Sequence, residues 1–346
     1  MNLLQLTNKI IKVIEKIESD PESNDIKHHE LNLWKKIYHN LVAGRRTGHG
    51  ITALGDTLAA LNFVYASDQS IEFCDILFKK FAQSILLENI NLAKERGSFP
   101  LFDKSLEIDN PYLNRIFESF GDLKEHVIND YNTYGRRNIS ESTIAPTGSV
   151  SLLTQTSSGV EPVFSIYYKR RRKLNDHDKN VNFIDDVGDK WEEYNVIHLR
   201  FLEWYNIYCK NNNIEKKNIE LISNVELEEL IKLSPYHNAC APNINWKNRV
   251  KLQGTVQKWI SHSISSTVNL PHDISIDEID KIYKTAYTSK CKGITIYREG
   301  SRDGVLITKE SSPKQTVDIF KENNAPKRGK ELPCEIVRFT NKAELS

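Results

Sequence analysis

Stretches with helical apolar spacing, roughly 12–25 residues long, alternate with short β-branched runs along most of this chain. That alternation constrains the fold more than any other feature. Strands separated by helices do not form tight hairpins; they pair in parallel, with the helices crossing over the sheet. The expected class is α/β, as a parallel sheet or barrel.

Residues 3–18 carry Leu3, Leu6, Ile10, Val13, Ile14 and Ile17 at helical spacing, and 29–42 repeat the pattern with Leu31, Trp34, Tyr38, Leu41 and Val42. A glycine-rich break, GRRTGHG (44–50), precedes an apolar-periodic stretch at 51–65. A long helix from about Ser70 to Arg96 follows, stopped by Gly97 with Pro100 beyond. The stretch 137–145 reads as a strand and 160–168 as a second extended piece. Residues 188–210 read as a helix with Trp191, Tyr194, Ile197, Phe201, Leu202 and Tyr205 on one broad face. Ser223 with Glu226, and Ser275 with Glu278, have the spacing of capping boxes. Residues 263–271 are strand-like, and 292–298 read as a short buried strand after a helix at 276–289. Beyond Arg302 the composition turns polar and lysine-rich. Two regions are expected: a folded part, 1–302, and a polar tail, 303–346.

Several classes of protein are disfavoured. The 346 residues carry a net charge of +1, so the chain as a whole does not attract nucleic acid or an acidic membrane, and no specific nucleic-acid partner is expected. No run approaches about 18 uninterrupted apolar residues, and the first residues lack the pattern of a signal peptide. The five cysteines, at 74, 209, 240, 291 and 334, form no C-x-x-C pair. Neither a disulfide framework nor a zinc site is indicated, and the cytoplasm is the expected compartment.

One turn carries chemistry. In TIAPTGSVSLLTQTSSGVEPVF (143–164) a strand breaks at Pro146, and Thr147, Gly148 and Ser149 precede a resumed apolar run at Val150. A strand ending this way before a helix can cradle an anion. The first helical N–H groups lack intrahelical partners, and the helix dipole favours negative charge there. Gly148 allows close backbone approach, while Thr147 and Ser149 add hydroxyls. An ordinary turn, with Thr147 or Ser149 capping the helix, explains the same residues, and spacing alone favours it. No G-x-x-x-x-G-K-[ST] motif is present.

Other candidates are weaker. GRRTGHG, with Arg45 and Arg46, could hold an anion but equally reads as a helix C-cap leading into a strand. KRRRK (169–173) reads as a solvated basic face. The ten histidines show no metal spacing. Cys240 and Cys291 read as small packed residues rather than nucleophiles.

Five ordered segments carry a resemblance: RRTGHGITALGDTLAAL (45–61), AKERGSFP (93–100), GRRNISESTIAPTGSVSLLTQTSSGVEPVFSIYYKRRRK (135–173), WISHSISSTVNLP (259–271) and CKGITIYREGSRDGVL (291–306). Together they resemble the C-terminal half of the ribonucleotide reductase large (catalytic) subunit, and are most similar to its adenosylcobalamin-dependent class II branch. NNAPKRGKELPCEIVRF (323–339) resembles that branch's region after the barrel. The resemblance implies the C-terminal part of a ten-stranded α/β barrel built from two half-barrels. It implies replacement of a ribose 2′-hydroxyl by hydrogen through a cysteine thiyl radical, with adenosylcobalamin generating the radical and a dithiol, such as a thioredoxin-like protein, supplying electrons. It also implies that Pro146, Thr147, Gly148, Ser149 and Val150 hold the substrate phosphates, which reverses the preference for a plain capped turn. Tyr297 is read as structural, and Glu161 with Pro162 as a packing feature.

The family's radical cysteine stands in an Asn-x-Cys-x-Glu pattern, and these residues contain none. Cys240 follows Asn238, but Pro242 stands where the glutamate belongs. The expectation is one piece of a ribonucleoside-di(or tri)phosphate reductase. It would supply substrate-phosphate binding and work with an N-terminal half that carries the radical cysteine, because half a barrel exposes strand edges that need a partner. A catalytically inactive nucleotide-binding remnant and a class I large-subunit fragment are the alternatives.

Overall fold

The computed structural model describes residues 3–20, 24–174, 183–184, 190–219, 222–299, 301 and 306–307. It divides into a unit at Met1–Leu306 and a second at Ile307–Ser346. The expected tail, with the 323–339 segment and Cys334, lies outside the described residues apart from Leu306 and Ile307. The side chains of KRRRK also lie outside them.

The described helices begin with a hairpin, α1 (Leu3–Ser19) and α2 (Asn24–Gly44). The short α3 (Leu54–Ala60) leads to α4 (Asp68–Arg96). Helix α4 starts where the Ser67 side chain accepts from Ser70 N, and stops at Gly97 with φ 75°. Cys74, Phe78, Ala82, Leu86, Ile90 and Ala93 form its buried stripe, one residue per turn. This stripe meets α6 (Pro111–Glu118) and α7 (Lys124–Tyr134) beyond the single turn α5 (Lys104–Glu107). The remaining helices are α8 (Gly148–Thr154), α9 (Leu199–Asn211), α10 (Asn224–Leu233), α11 (Trp246–Gln257) and α12 (Ile276–Thr288).

Four extended segments lie side by side in chain order, all parallel. The first, 47–49, meets 140–144: His49 N donates to Glu141 O at 2.8 Å, Thr143 N donates to His49 O at 2.9 Å, and His49 bridges Ser142. The second meets 262–265, with Ser265 N donating to Ile144 O at 2.8 Å and Ile144 bridging Ile264. The chain then enters β4 (Thr267–Leu270), which pairs with β5 (Thr295–Arg298) in register Val268↔Ile296, across α12. The expected strand at 137–145 is therefore an extended segment held by single bridges rather than a continuous ladder. The glycines of GRRTGHG make this contact close: a Cβ on Gly50 would stand 2.3 Å from Thr143 O, and one on Gly48 2.5 Å from Thr143 Cγ2.

Three expectations change. Residues 190–197 form a strand rather than the start of a helix. The strands β1 (Tyr167–Lys173) and β2 (Phe183–Ile184) both pair antiparallel with β3 (Lys190–Ile197). The i, i+3 spacing of Trp191, Tyr194 and Ile197 suited a helix, but β1 supplies backbone partners that override it, and helix begins only at Leu199. The strand 292–298 is not buried: β5 has exposed and half-buried positions. Of the two capping boxes, Ser223 closes fully with Glu226. At Ser275 only the hydroxyl half forms, because the Glu278 carboxylate turns to Trp246 Nε1 at 2.9 Å and Lys281 Nζ at 3.0 Å.

Candidate functional site

The 140–144 segment is fixed at its base by a buried cation. Arg136 donates from Nε and Nη2 to the Glu107 carboxylate, and from Nη1 to Ile139 O at 2.7 Å and Glu141 Oε1 at 3.1 Å. Ile144, 1% exposed, seats the other end in the core. The chain then surfaces. Pro146, Gly148, Ser149 and Val150 are exposed, and Thr147 is half-buried.

Thr147 is the N-cap residue of α8, yet its side chain makes no cap hydrogen bond. Its Oγ1 instead accepts from Gly159 N at 2.8 Å and lies 3.0 Å from both Ser158 Oγ and Thr52 Oγ1. This hydroxyl is held inside the loop. Gly148, Ser149 and Val150 are exposed and their backbone N–H groups have no side-chain cap from Thr147, and the Ser149 hydroxyl has no partner among the described residues. A Cβ on Gly148 would meet nothing within 4 Å, so the glycine is not demanded by neighbouring protein atoms. At the far end of α8, Arg200 Nη2 donates to Thr154 O at 3.2 Å, where a cation suits the helix dipole.

A second layer supports the 157–161 loop. Asp56 N donates to Ser157 Oγ at 3.2 Å, and Ser157 N donates to Asp56 Oδ2 at 2.7 Å. Asp56 Oδ1 accepts from His198 Nε2 at 2.6 Å and Tyr236 OH at 3.0 Å. Burial pushes the Asp56 carboxyl up, but the His198 hydrogen bond and charge, with those of Ser157 N and Tyr236, leave it below the usual 3.8. Burial and the Asp56 charge push the Tyr236 hydroxyl up. Gly159, at φ +53°, makes the turn that lets its N–H reach Thr147. Glu161 does more than pack: it pairs with the buried Arg249 and accepts from Thr267 N at 2.8 Å.

Sequence reasoning singled out 146–150 and gave no role to Thr52, Asp56, Ser158, His198 or Tyr236, which the structure places around the loop behind it. The one local signal was Asp56 in the first turn of α3, a favoured place for a carboxylate. Cys240 and Cys291 are as expected for packed thiols: burial pushes each up to about 11. No group of three or more His, Cys, Asp or Glu that could hold a metal occurs among the described residues, and none of the described helices is long and apolar enough to cross a membrane.

Parallel extended segments with helices between them, and a surface turn at the end of one, define an α/β domain. Residues 26–297 match the family model described as ribonucleotide reductase, barrel domain, and the chain belongs to that family. It is 28% identical over 279 residues to a vitamin B12-dependent ribonucleoside-diphosphate reductase of Mycobacterium tuberculosis (strain CDC 1551 / Oshkosh), covering 79% of this chain and 34% of that protein. A protein of the same description from Thermoplasma acidophilum is 27% identical over 281 residues, covering 80% of this chain and 32% of its own length. A vitamin B12-dependent ribonucleotide reductase of Rhodopirellula baltica is 23% identical over 307 residues, covering 79% and 27%. The chain thus spans about a third or less of the length of these relatives.

Proposed function

We propose that this chain supplies the substrate-phosphate part of a cobalamin-dependent ribonucleotide reductase barrel. The observation that carries the reading is the open turn of Pro146, Thr147, Gly148, Ser149 and Val150, exposed at the start of α8 with no side-chain cap from Thr147. Such a turn offers fixed dipoles to an anion without further reorganisation. The relatives' names point to a ribonucleoside diphosphate rather than a triphosphate as the substrate.

No Asn-x-Cys-x-Glu occurs in the 346 residues, so the radical-bearing cysteine must come from segments outside them. The same segments would complete the ten-stranded barrel against the open edges of the parallel array, and a thioredoxin-like dithiol would return electrons. The cytoplasm, where such a dithiol stays reduced, is the compartment that suits the reaction.

Adenosylcobalamin, when bound, would supply the radical initiator. A corrin needs a broad apolar platform. Val150, Leu152 and Leu153 are 53%, 62% and 86% exposed beside the turn, an open surface rather than an enclosing one. These residues do not by themselves hold the cofactor. The chain's own contribution is to bind and orient the phosphates, with Asp56 and Glu161 fixing the loops behind the turn.

The test is reconstitution of the chain with a polypeptide carrying the family's Asn-x-Cys-x-Glu segment. Formation of deoxyribonucleotide should require both polypeptides, adenosylcobalamin and a dithiol. Turnover that is indifferent to cobalamin would refute the assignment, as would turnover by this chain alone.

A further inference from the structure

We propose that Thr52 is a positioning residue of the phosphate turn, acting through the hydroxyl of Thr147; the inference rests on reading 146–150 as that turn. A threonine at an N-cap ordinarily turns its oxygen onto an N–H two or three residues ahead. Thr147 does not, and proton counting shows why. A hydroxyl has one proton and two lone pairs. Thr52 spends its proton on Ser157 O, at 3.0 Å. In the 3.0 Å contact between Thr52 and Thr147, Thr147 must therefore be the donor. Its proton being used, Thr147 accepts from Ser158 Oγ at 3.0 Å, and its second lone pair takes Gly159 N–H at 2.8 Å. The chain of donors runs Ser158, Thr147, Thr52, Ser157 carbonyl, and the Thr147 oxygen has no capacity left.

Two loops far apart in sequence thus converge on one oxygen and keep it off its own helix. Ala53 N, donating to Ser157 O at 2.9 Å, and the Asp56–Ser157 pair lock the same two loops together around it. Thr52 makes no cap for α3, whose N-cap is Ala53. Its hydroxyl is spent on the relay. Without it, Thr147 keeps only Ser158 Oγ and the Gly159 N–H, and the less firmly held side chain is freer to turn onto α8 and close the N–H groups that a phosphate would use.

This role has a signature that scaffolding lacks: affinity falls while stability holds or rises. Isothermal titration of the 346-residue chain with inorganic pyrophosphate, beside thermal unfolding, reads both. Thr52→Val should weaken pyrophosphate about fivefold with no fall in the unfolding midpoint. Thr52→Ser, which keeps the hydroxyl, should restore binding. If Thr52→Val does not fold, Ser158→Ala cuts the relay at its other end and should show the same loss, with unchanged affinity there counting against the proposal. Parent affinity in Thr52→Val, with a lowered midpoint, overturns it. Gly148→Val separates the two levels. If that variant loses pyrophosphate while Thr52→Val keeps it, the turn stands and the role of Thr52 falls. If the parent chain binds no pyrophosphate, the turn itself falls and takes the role of Thr52 with it.

Discussion

Glu161 and Arg249 form an ion pair between the loop behind the 146–150 turn and the middle of α11, and the two ends of the carboxylate serve different elements. One oxygen meets Arg249 Nη2; the other accepts from Thr267 N at the start of β4. Arg249 is 2% exposed, and its Nε and Nη1 have no partner among the described residues. Glu161 is therefore its one anionic contact there.

Removing that carboxylate should be costly, because it leaves an uncompensated buried guanidinium. Glu161→Ala is expected to destabilise by about 3–5 kcal/mol, and the double variant Glu161→Gln with Arg249→Met by distinctly less. Chemical denaturation of the parent, both single variants and the double variant measures the difference. Equal losses in Glu161→Ala and the double variant would mean that the pair matters only for packing.

Gly148→Val should weaken nucleotide binding and leave the fold alone. The added side chain meets open space in the protein, and Gly148 does not have a positive φ, so strain is not the reason for any effect. What it obstructs is a phosphate approaching the backbone. Ser149→Ala should do less, a loss of roughly 0.5–1.5 kcal/mol for one hydroxyl. Ribonucleoside diphosphate affinity for both variants, beside their unfolding midpoints, checks the order. An unchanged affinity in Gly148→Val would return 146–150 to an ordinary turn.

The pH dependence of stability should carry a mark of Asp56. An acid whose folded pKa lies below its unfolded value stabilises the fold above the unfolded pKa, and the contribution fades as pH falls through the folded one. For Asp56 the fading begins as pH drops below the usual 3.8. Asp56→Asn should therefore lower stability at neutral pH, and its deficit should shrink in acid. A deficit that stays constant down to about pH 2 would mean the ionised form has no special role.

Gly50→Ala probes the parallel array. Its Cβ would press on the Thr143 carbonyl, which is backbone and cannot swing aside. A loss of about 1–3 kcal/mol is expected, comparable to overpacking a core. Gly97→Ala makes the contrast: its Cβ has nothing within 4 Å and only its φ of +75° opposes the change. A smaller effect at Gly50 than at Gly97 would argue against the close approach.

Much of this was legible in advance, for local reasons. The apolar period of α4, its stop at Gly97, the Ser223 capping box and the β4–α12–β5 unit are written in neighbouring residues. The failures are non-local. Nothing within 190–197 announces β1 as a partner, and nothing near Glu278 announces Trp246. The turn at 146–150 was visible because proline, glycine and hydroxyls cluster there. Its supports were not, since Thr52 reaches it, and His198 and Tyr236 reach Asp56 behind it, from distant parts of the chain. A threonine at an N-cap reads as a cap, and only a count of protons around Thr147 shows otherwise.

The chain order of the four parallel segments also dictates a sequence of assembly. β4 and β5 are one helix apart, whereas Thr47 and Ser140 are 93 residues apart and Thr143 and Ser263 are 120 apart. Closing a loop three or four times longer costs roughly 1 kcal/mol more in chain entropy, and the search is slower. The βαβ unit at the C-terminal edge can therefore nucleate early, with the two long closures following it. Thr52, Thr147 and Gly159 meet only with the 93-residue closure, itself more than three times the span of the βαβ unit. Kinetically, the proposed phosphate turn forms later than the βαβ unit, so a partly folded chain would hold native helices before it has the place proposed for a nucleotide.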